Sequence, residues 1–388
     1  MKKSLIAVAV AGLFAAPAAM AEVTLSGAIN LGIEYATSSS SLGVPSLNRT
    51  LLNSNYSHVD LESVDDIGGG NKIIFHYQLY AQPQSTGQTS ANPLNRNSFL
   101  GVAGGWGAFK MGTNENVYER FMYTADPLDG ALGPGGNLMI LGTPGFGTAF
   151  DAGQSTCGPA STGAGCIGFY RRTDQTIWYE SPNFSGFSFE IDQTLSAFKQ
   201  NSPTSFDPKV LSIGGKFQPE GGPFYVDLAY EKHDDLFALN AVNGPFSATS
   251  SKDTAMQLGG GLMFGDLGLH LRFERLKYQA DGVVGGVSEL KRDAGWFGLK
   301  YNLPSGYVGA ELGIARDLKA DGVKADNTGA KMFGIGYFHN LSKQSQLQFI
   351  YGRTDNNANA SYTQAGAPLG GLPGSDHQVF HVSIKHTY

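Results

Sequence analysis

The chain's 388 residues predict an all-β protein, a 16-stranded antiparallel transmembrane β-barrel with an inward-folded third outer loop. Three observations carry that prediction. Short segments of about ten residues alternate apolar and polar side chains, which is the period of a strand with one oily and one wet face. The links between them alternate short and long, as when tight turns gather on one rim and long loops on the other. One stretch, from Val117 to Gly168, breaks both rules: about fifty residues follow no sustained period, and a structureless insert of that length in an ordered domain is expected to be functional.

The chain opens on a targeting pattern. Lys2 and Lys3 precede an apolar run from Leu5 to Ala16, and Ala19-Met20-Ala21 is a small-x-small cleavage site. The run falls short of the ~20 residues a spanning helix needs. Residues 1–21 are therefore read as a signal peptide and 22–388 as the exported barrel. Without Lys2 and Lys3 the chain holds 25 basic against 33 acidic residues, a net −8. That balance argues against nucleic acid as a partner. A mean hydropathy of −0.16 resembles that of a soluble protein, yet barrels escape this test because only alternate residues meet lipid.

Glu22 to Tyr35 shows the alternation at its cleanest. Val23, Leu25, Gly27, Ile29, Leu31, Ile33 and Tyr35 fall on one face, with Thr24, Ser26, Asn30 and Glu34 on the other. Further strands are expected near Thr50–Ser63, Asn71–Gln82, Asn97–Ala103 and Gly107–Glu115. After the insert come Phe169–Glu180, Gly186–Lys199, Asp207–Phe217, Pro223–His233 and Asp253–Phe264. The last six are Leu267–Ala280, Leu290–Asn302, Ser305–Leu318, Ala330–Asn340, Gln344–Thr354 and His377–Tyr388.

Short links sit at Gly104-Gly105-Trp106, Gly265-Asp266, Leu303-Pro304 and Leu341-Ser342-Lys343. Long polar ones run Thr37–Arg49, Pro83–Arg96, Asp234–Lys252 and Asp355–Asp376. An even strand count returns both termini to the short-turn rim. A soluble sandwich would need inward apolar faces. A cylinder of sixteen strands instead encloses a lumen too wide for side chains to fill, so its inward residues should be polar. They are: Lys72, His76 and Gln78 alternate with Ile73, Phe75 and Tyr77, and Asp227 and Glu231 alternate with Val226, Leu228 and Tyr230.

The insert supplies Asp126, Asp129 and Asp151 and has no Lys or Arg between Phe121 and Tyr170. Lys72, Lys110 and Arg172 lie on the polar parity of their strands. Arg96, of ambiguous parity, is a further candidate, and His58 and His76 would add charge at low pH. A transverse field between such groups sorts polar solutes at a constriction. Solvation of loops and lumen is the plainer role for the same charges. Cys157 and Cys166, both in the insert, would close a small ring in an oxidising compartment, worth roughly 2.5 kcal/mol on a chain-entropy model. No histidine lies near them to suggest a metal.

Catalytic patterns are poor. Ser196-Ala197-Phe198-Lys199 has the Ser-x-x-Lys spacing but ends a strand, with no companion motif. Gly68-Gly69-Gly70 turns between strands with no helix to receive a phosphate. Neither enzyme chemistry nor a cofactor is expected.

Several stretches resemble the Gram-negative porin family of β-proteobacteria, the group that holds the neisserial porins. Glu22-Val23-Thr24-Leu25-Ser26-Gly27 resembles its mature start, and Asp65-Asp66-Ile67-Gly68-Gly69-Gly70-Asn71-Lys72 its turn after the second strand. Asn95-Arg96-Asn97-Ser98 and Lys110-Met111-Gly112 resemble the strands before its constriction loop. Arg172 to Ile177 and Tyr179 to Phe187 resemble the strand and turn after it. Ile384-Lys385-His386-Thr387-Tyr388 resembles its terminal barrel-assembly signal, with Phe380, Ile384 and Tyr388 on one face.

The resemblance implies a homotrimer in the cell outer membrane, a multi-pass barrel that passes small hydrophilic solutes and ions by diffusion. It also implies outer-membrane lipid, lipopolysaccharide and the barrel-assembly machinery as partners, and residues 117–168 as the constriction loop. The chain departs from the family at Thr113 and His58, where the family commonly carries Arg, which thins the expected basic cluster. The alternatives are a substrate-specific channel of the same fold, or a barrel enzyme with a Ser–His or acid pair at one rim.

Overall fold

The computed structural model describes residues 22–81, 83, 95–124, 126–128, 133–146, 167–197, 199, 206–245 and 247–388. One antiparallel sheet contains every wall strand, and it closes on itself. β1 (Glu22–Ser38) pairs with β2 (Leu47–Ser54 and His58–Gly68) on one side and with the last strand, β16 (His377–Thr387), on the other, so no edge is left open.

The remaining wall strands follow in strict neighbour order. They are β3 (Asn71–Tyr80), β4 (Asn95–Gly104), β5 (Gly107–Glu115), β6 (Arg172–Glu180), β7 (Phe187–Thr194), β8 (Lys209–Phe217) and β9 (Phe224–Asp234). Then come β10 (Ser250–Phe264), β11 (Leu267–Asp281), β12 (Glu289–Leu303), β13 (Gly306–Ala315), β14 (Ala330–Asn340) and β15 (Ser345–Asn356). The wall is a closed cylinder of sixteen strands.

The expected span Thr50–Ser63 is one wall strand in two pieces. Leu47–Ser54 and His58–Gly68 both pair with β1, and together they form β2. Leu31 faces Ser54 and Ala28 faces His58, so three residues oppose two: a bulge, with Tyr56 at φ 54°. The bulge resets which residues face inward, which simple alternation could not announce. Phe169–Arg171 lies outside β6, because Phe169 N–H donates instead to the Gly142 carbonyl of the insert.

After β13 the chain adds a small hairpin, Lys319–Ala320 with Val323–Lys324. Its two-residue turn is Asp321-Gly322, both at positive φ, and that dipeptide is a strong hairpin signal. In sequence, this stretch lies in the link between the strands expected at Ser305–Leu318 and Ala330–Asn340.

Side chains sort by face as the cylinder requires. On β11, Leu271 and Phe273 are 51% and 61% exposed, whereas the alternate Arg272 and Glu274 are buried. The apolar core lies between the insert and the inner face of the wall. Val117, Tyr118, Phe121, Met122 and Leu138–Leu141 pack with Ala229, Ala255, Leu276, Tyr278, Ala294 and Trp296. Each large side chain so buried contributes about 1.5–3 kcal/mol.

Candidate pore constriction

Helix α1 (Val117–Tyr123) begins directly after β5. Seven residues are too few to be stable alone, and Asn116 makes no side-chain cap. Side chains of the wall complete the first turn instead. Val117 N–H donates to Asp192 Oδ2 at 2.8 Å and Tyr118 N–H to Ser212 Oγ at 3.1 Å, so two of the helix's unpaired donors are satisfied by β7 and β8. The Asp192 carboxylate also suits the positive end of the helix dipole. Asn116 in turn donates to Glu231 Oε2 at 3.2 Å and accepts from Thr173 Oγ1 at 2.8 Å.

Beyond the helix, the anchorage concentrates on one carboxylate. Glu274 accepts from Gly142 N–H at 3.0 and 2.8 Å, accepts from Tyr118 O–H at 2.8 Å, and ion-pairs with Arg292 at 2.7 Å. Arg292 donates to the carbonyls of Ile140, at 3.0 Å, and Thr143. All three side chains are buried. Gly135 N–H reaches Gln364 Oε1 at 2.7 Å, and Ile167 C=O accepts from Tyr278 O–H at 2.6 Å.

Several wall glycines make room for the insert. A Cβ on Gly309 would stand 2.3 Å from the Pro127 carbonyl, and one on Gly352 only 2.4 Å from Gly135 N. Gly313 and Gly334 leave the same kind of room for Ile140 and Leu128. Much of the glycine that reads as strand-weakening in sequence is thus a smooth inner surface for a second layer of chain.

The expected charges divide into groups. His58 and His76 both meet Asp60, at 3.2 and 2.9 Å. Gln78 donates to the same carboxylate at 2.8 Å and accepts from Arg96 Nε at 3.1 Å. Arg96 is buried facing inward, pairs with Glu115 at 3.2 Å, and stacks 4.3 Å from the Tyr56 ring. Arg172 shares Glu115 and donates to Asn97 Oδ1 at 3.0 Å. These residues form one chain of contacts from β2 to β6.

Lys110 stands apart from that chain, paired with Glu180 at 2.6 Å and 4.7 Å from the Phe99 ring centroid. Lys72 is exposed beside the Gly68–Gly70 turn, at the rim. Asp126 accepts from Leu128 N–H at 2.7 Å and Asn137 N–H at 2.9 Å, tying the insert to itself. Asp129, Asp151, Cys157 and Cys166 lie outside the described residues, as does the segment 1–21. Phe380, Ile384 and Tyr388 are exposed on one face, and Tyr388 closes the barrel through backbone bonds with Gly27.

Sequence reasoning passed over several residues that organise the interior. Asp60, Glu115, Arg120, Asp192, Glu274 and Arg292 organise the interior, Arg120 by pairing with Glu190 and donating to Asn114 at 3.0 Å. The inward parity of Asp192, Glu274 and Arg292 was readable, as Arg272 and Glu274 alternate with Leu271 and Phe273; Asp60 and Glu115 follow shifts of register, and Arg120 lies on α1. What no periodicity supplies is which of them meets the insert. Among the described residues no group of three or more His, Cys, Asp or Glu side chains is arranged to hold a metal.

Comparison with known proteins agrees with this architecture. The Gram-negative porin family matches residues 7–359. The chain is 27% identical over 393 residues to Outer membrane porin protein 32 of Delftia acidovorans, covering 100% of both chains. It is 24% identical to an outer membrane porin protein of Bordetella pertussis, over 91% of this chain and 94% of that one. Among solved structures, an anion-selective porin from Comamonas acidovorans superposes with a TM-score of 0.72 at 19% identity, covering 95% of this chain and all of the other. A trimer form of OmpT of Vibrio cholerae gives 0.60 at 13% identity, covering 95% and 99%.

Proposed function

The chain belongs to the Gram-negative porin family, and from that premise we propose that it forms a trimeric outer-membrane channel narrowed by residues 117–168. Its role is passive diffusion of small hydrophilic solutes and ions, without covalent chemistry or cofactor. The observation that carries this is the pairing of a closed sixteen-strand wall, oily outside and polar inside, with a segment seated on the polar face. Such a segment reduces the aperture and sets its field.

Two further parts of the reading have separate supports. The solved trimer of Vibrio cholerae OmpT, of the same fold, supports threefold assembly. The sequence pattern supports removal of residues 1–21, so terminal sequencing of the exported protein should begin at Glu22. Conductance of the purified protein in a planar bilayer tests the whole. Steps arriving in groups of three are expected. Silent insertion accompanied by hydrolysis of an ester or peptide would overturn the channel in favour of a barrel enzyme.

A further inference from the structure

A cleft of about 450 Å³ opens inside the barrel on the long-loop side, between the first half of β2 and the link from β15 to β16. Its volume lies in the range of small-molecule sites, ~300–1,000 Å³. We propose that it is a binding subsite for a neutral polyhydroxylated solute, a sugar of monosaccharide size, on the way into the pore. The proposal rests on the channel reading above and names a solute class for it.

Register builds one wall of the cleft. Leu51 pairs across the sheet with Glu34, which is fully buried inside the barrel while its neighbours Ile33 and Tyr35 are exposed outside. Arg49, Leu51 and Asn53 therefore share the inward face of β2. Tyr80, opposite His58, adds a ring from β3. The facing wall is the stretch 363–371, and its surroundings are pinned. Ser361 N–H donates to the Gly145 carbonyl at 2.8 Å, Gly135 N–H to Gln364 Oε1 at 2.7 Å, and Leu369 N–H to Ser38 Oγ at 3.2 Å. Walls fixed before a ligand arrives lose less freedom when it binds. At the floor, Asn55 also lines a smaller cleft with Tyr56, Gly133 and Lys385, so the site opens towards the insert.

Charge favours a neutral occupant. Among the described residues that line the cleft, Arg49 alone is charged. Its Nε donates to the Gly366 carbonyl at 2.7 Å and its Nη2 to that of Ala367 at 3.5 Å. Gly366 also packs on the Glu34 carboxylate so closely that a Cβ would not fit. Cation and anion thus flank one residue and offset each other. An ion entering here would shed water with no net counter-charge to replace it.

The polar groups that remain suit hydroxyls. Asn53 Nδ2 donates to Glu34 Oε2 at 3.0 Å, which fixes the amide and leaves Oδ1 to accept. The Tyr80 hydroxyl has no hydrogen-bond partner among the described residues, and the Arg96 guanidinium, 5.3 Å from the ring centroid, steadies its ring. Leu51 and the Tyr80 ring supply apolar surface between these groups. A sugar presents the matching alternation, hydroxyl edges and C–H faces, and Tyr offers an apolar body with a polar tip.

The test is single-channel current through the purified, full-length protein in a planar bilayer, with glucose added to each side in turn. Current should fall along a saturating curve. Tetraethylene glycol, of similar size but almost without hydroxyls, should lower it only in proportion to viscosity, since a site built on hydroxyl partners rejects analogues that lack them. Gluconate should interrupt the current less than glucose does. Tyr80→Phe, which keeps the ring beside Arg96, should raise the half-saturating glucose concentration about fivefold, the loss of one hydrogen bond.

A linear fall shared by glucose and tetraethylene glycol overturns the subsite, and so does an unchanged half-saturation in Tyr80→Phe. Stronger interruption by gluconate would mark an anion site and overturn it equally. If Tyr80→Phe fails to fold, the comparison of the two neutral solutes in the unaltered protein decides alone. A protein that never conducts sinks the channel reading itself, whereas a conducting pore without saturation sinks only this proposal.

Discussion

The wall and the insert are held by different chemistry. In the wall, neighbouring strands exchange backbone hydrogen bonds along registers of five residue pairs, between β6 and β7, to thirteen, between β11 and β12, so no single side chain decides the pairing. In the insert, backbone groups are satisfied by individual side chains: Asp192, Ser212 and above all Glu274 with Arg292 from the wall, and Gln364 from the link between β15 and β16. Stability is spread over the wall and concentrated in the insert's few anchors. A substitution can therefore free the insert while the barrel stands, and the reverse should not occur.

Removing the central anchor gives the largest expected effect. Glu274→Ala deletes the acceptor of Gly142 N–H and Tyr118 O–H and leaves Arg292 as a buried charge without its counter-ion. Breaking such a pair costs about 3–5 kcal/mol. We expect the insert to detach, with larger single-channel conductance and new protease cleavage between 124 and 167, while heat-resistant barrel migration is kept. Unchanged conductance would show that the insert has other anchors of equal weight. Next is Gly352→Val, whose Cβ would meet Gly135 N at 2.4 Å. Overpacking of this kind costs about 1–3 kcal/mol. The same change at Gly260, which faces outward beside Val226, should leave conductance alone.

The same contrast explains what the sequence could and could not disclose. Period two is written into every wall strand, because each residue meets either lipid or the interior, and sixteen strands, their order and both rims follow from it. The exceptions are local: the Tyr56 bulge, where one extra residue changes parity, and the Asp321-Gly322 hairpin, whose turn signal was present and unread. In the interior, parity announced that Arg172, Lys110 and His76 face inward, while His58 follows the bulge. It could not announce that Glu115, Glu180 and Asp60 already engage them, since every one of these pairs except His58–Asp60 joins neighbouring strands. Nor could it show that Glu274 would meet a backbone amide 132 residues away in the chain.

A smaller effect is expected from the insert's own acids. Asp126→Asn removes the charge from an acceptor of two backbone N–H groups, Leu128 and Asn137, and a weakened pair of such bonds costs on the order of 1 kcal/mol. Together with Asp129→Asn it should move the reversal potential in a salt gradient towards anions. A potential that does not move would take both carboxylates out of the narrow region.

The smallest expected effect is a pH dependence carried by α1. Burial raises the Glu119 carboxyl from 4.5 to about 7, against the lowering influence of the Tyr123 hydroxyl that donates to it. The neutral acid is thus the form the packed helix prefers. A raised carboxyl pKa gives a contribution that is complete below about pH 4.5 and is lost as pH rises through about 7. Ionisation at neutral pH should loosen α1 from β8 and β9 without disturbing the wall ladders. Amide exchange of residues 117–124 should accordingly speed up between pH 5 and pH 8, after correction for intrinsic rates, while exchange in β11 and β12 does not. Glu119→Gln should hold α1 in its low-pH behaviour throughout. An unchanged pH response in that variant would assign the titration to another buried group, and with it the claim that the insert can be loosened separately from the wall would lose its mildest test.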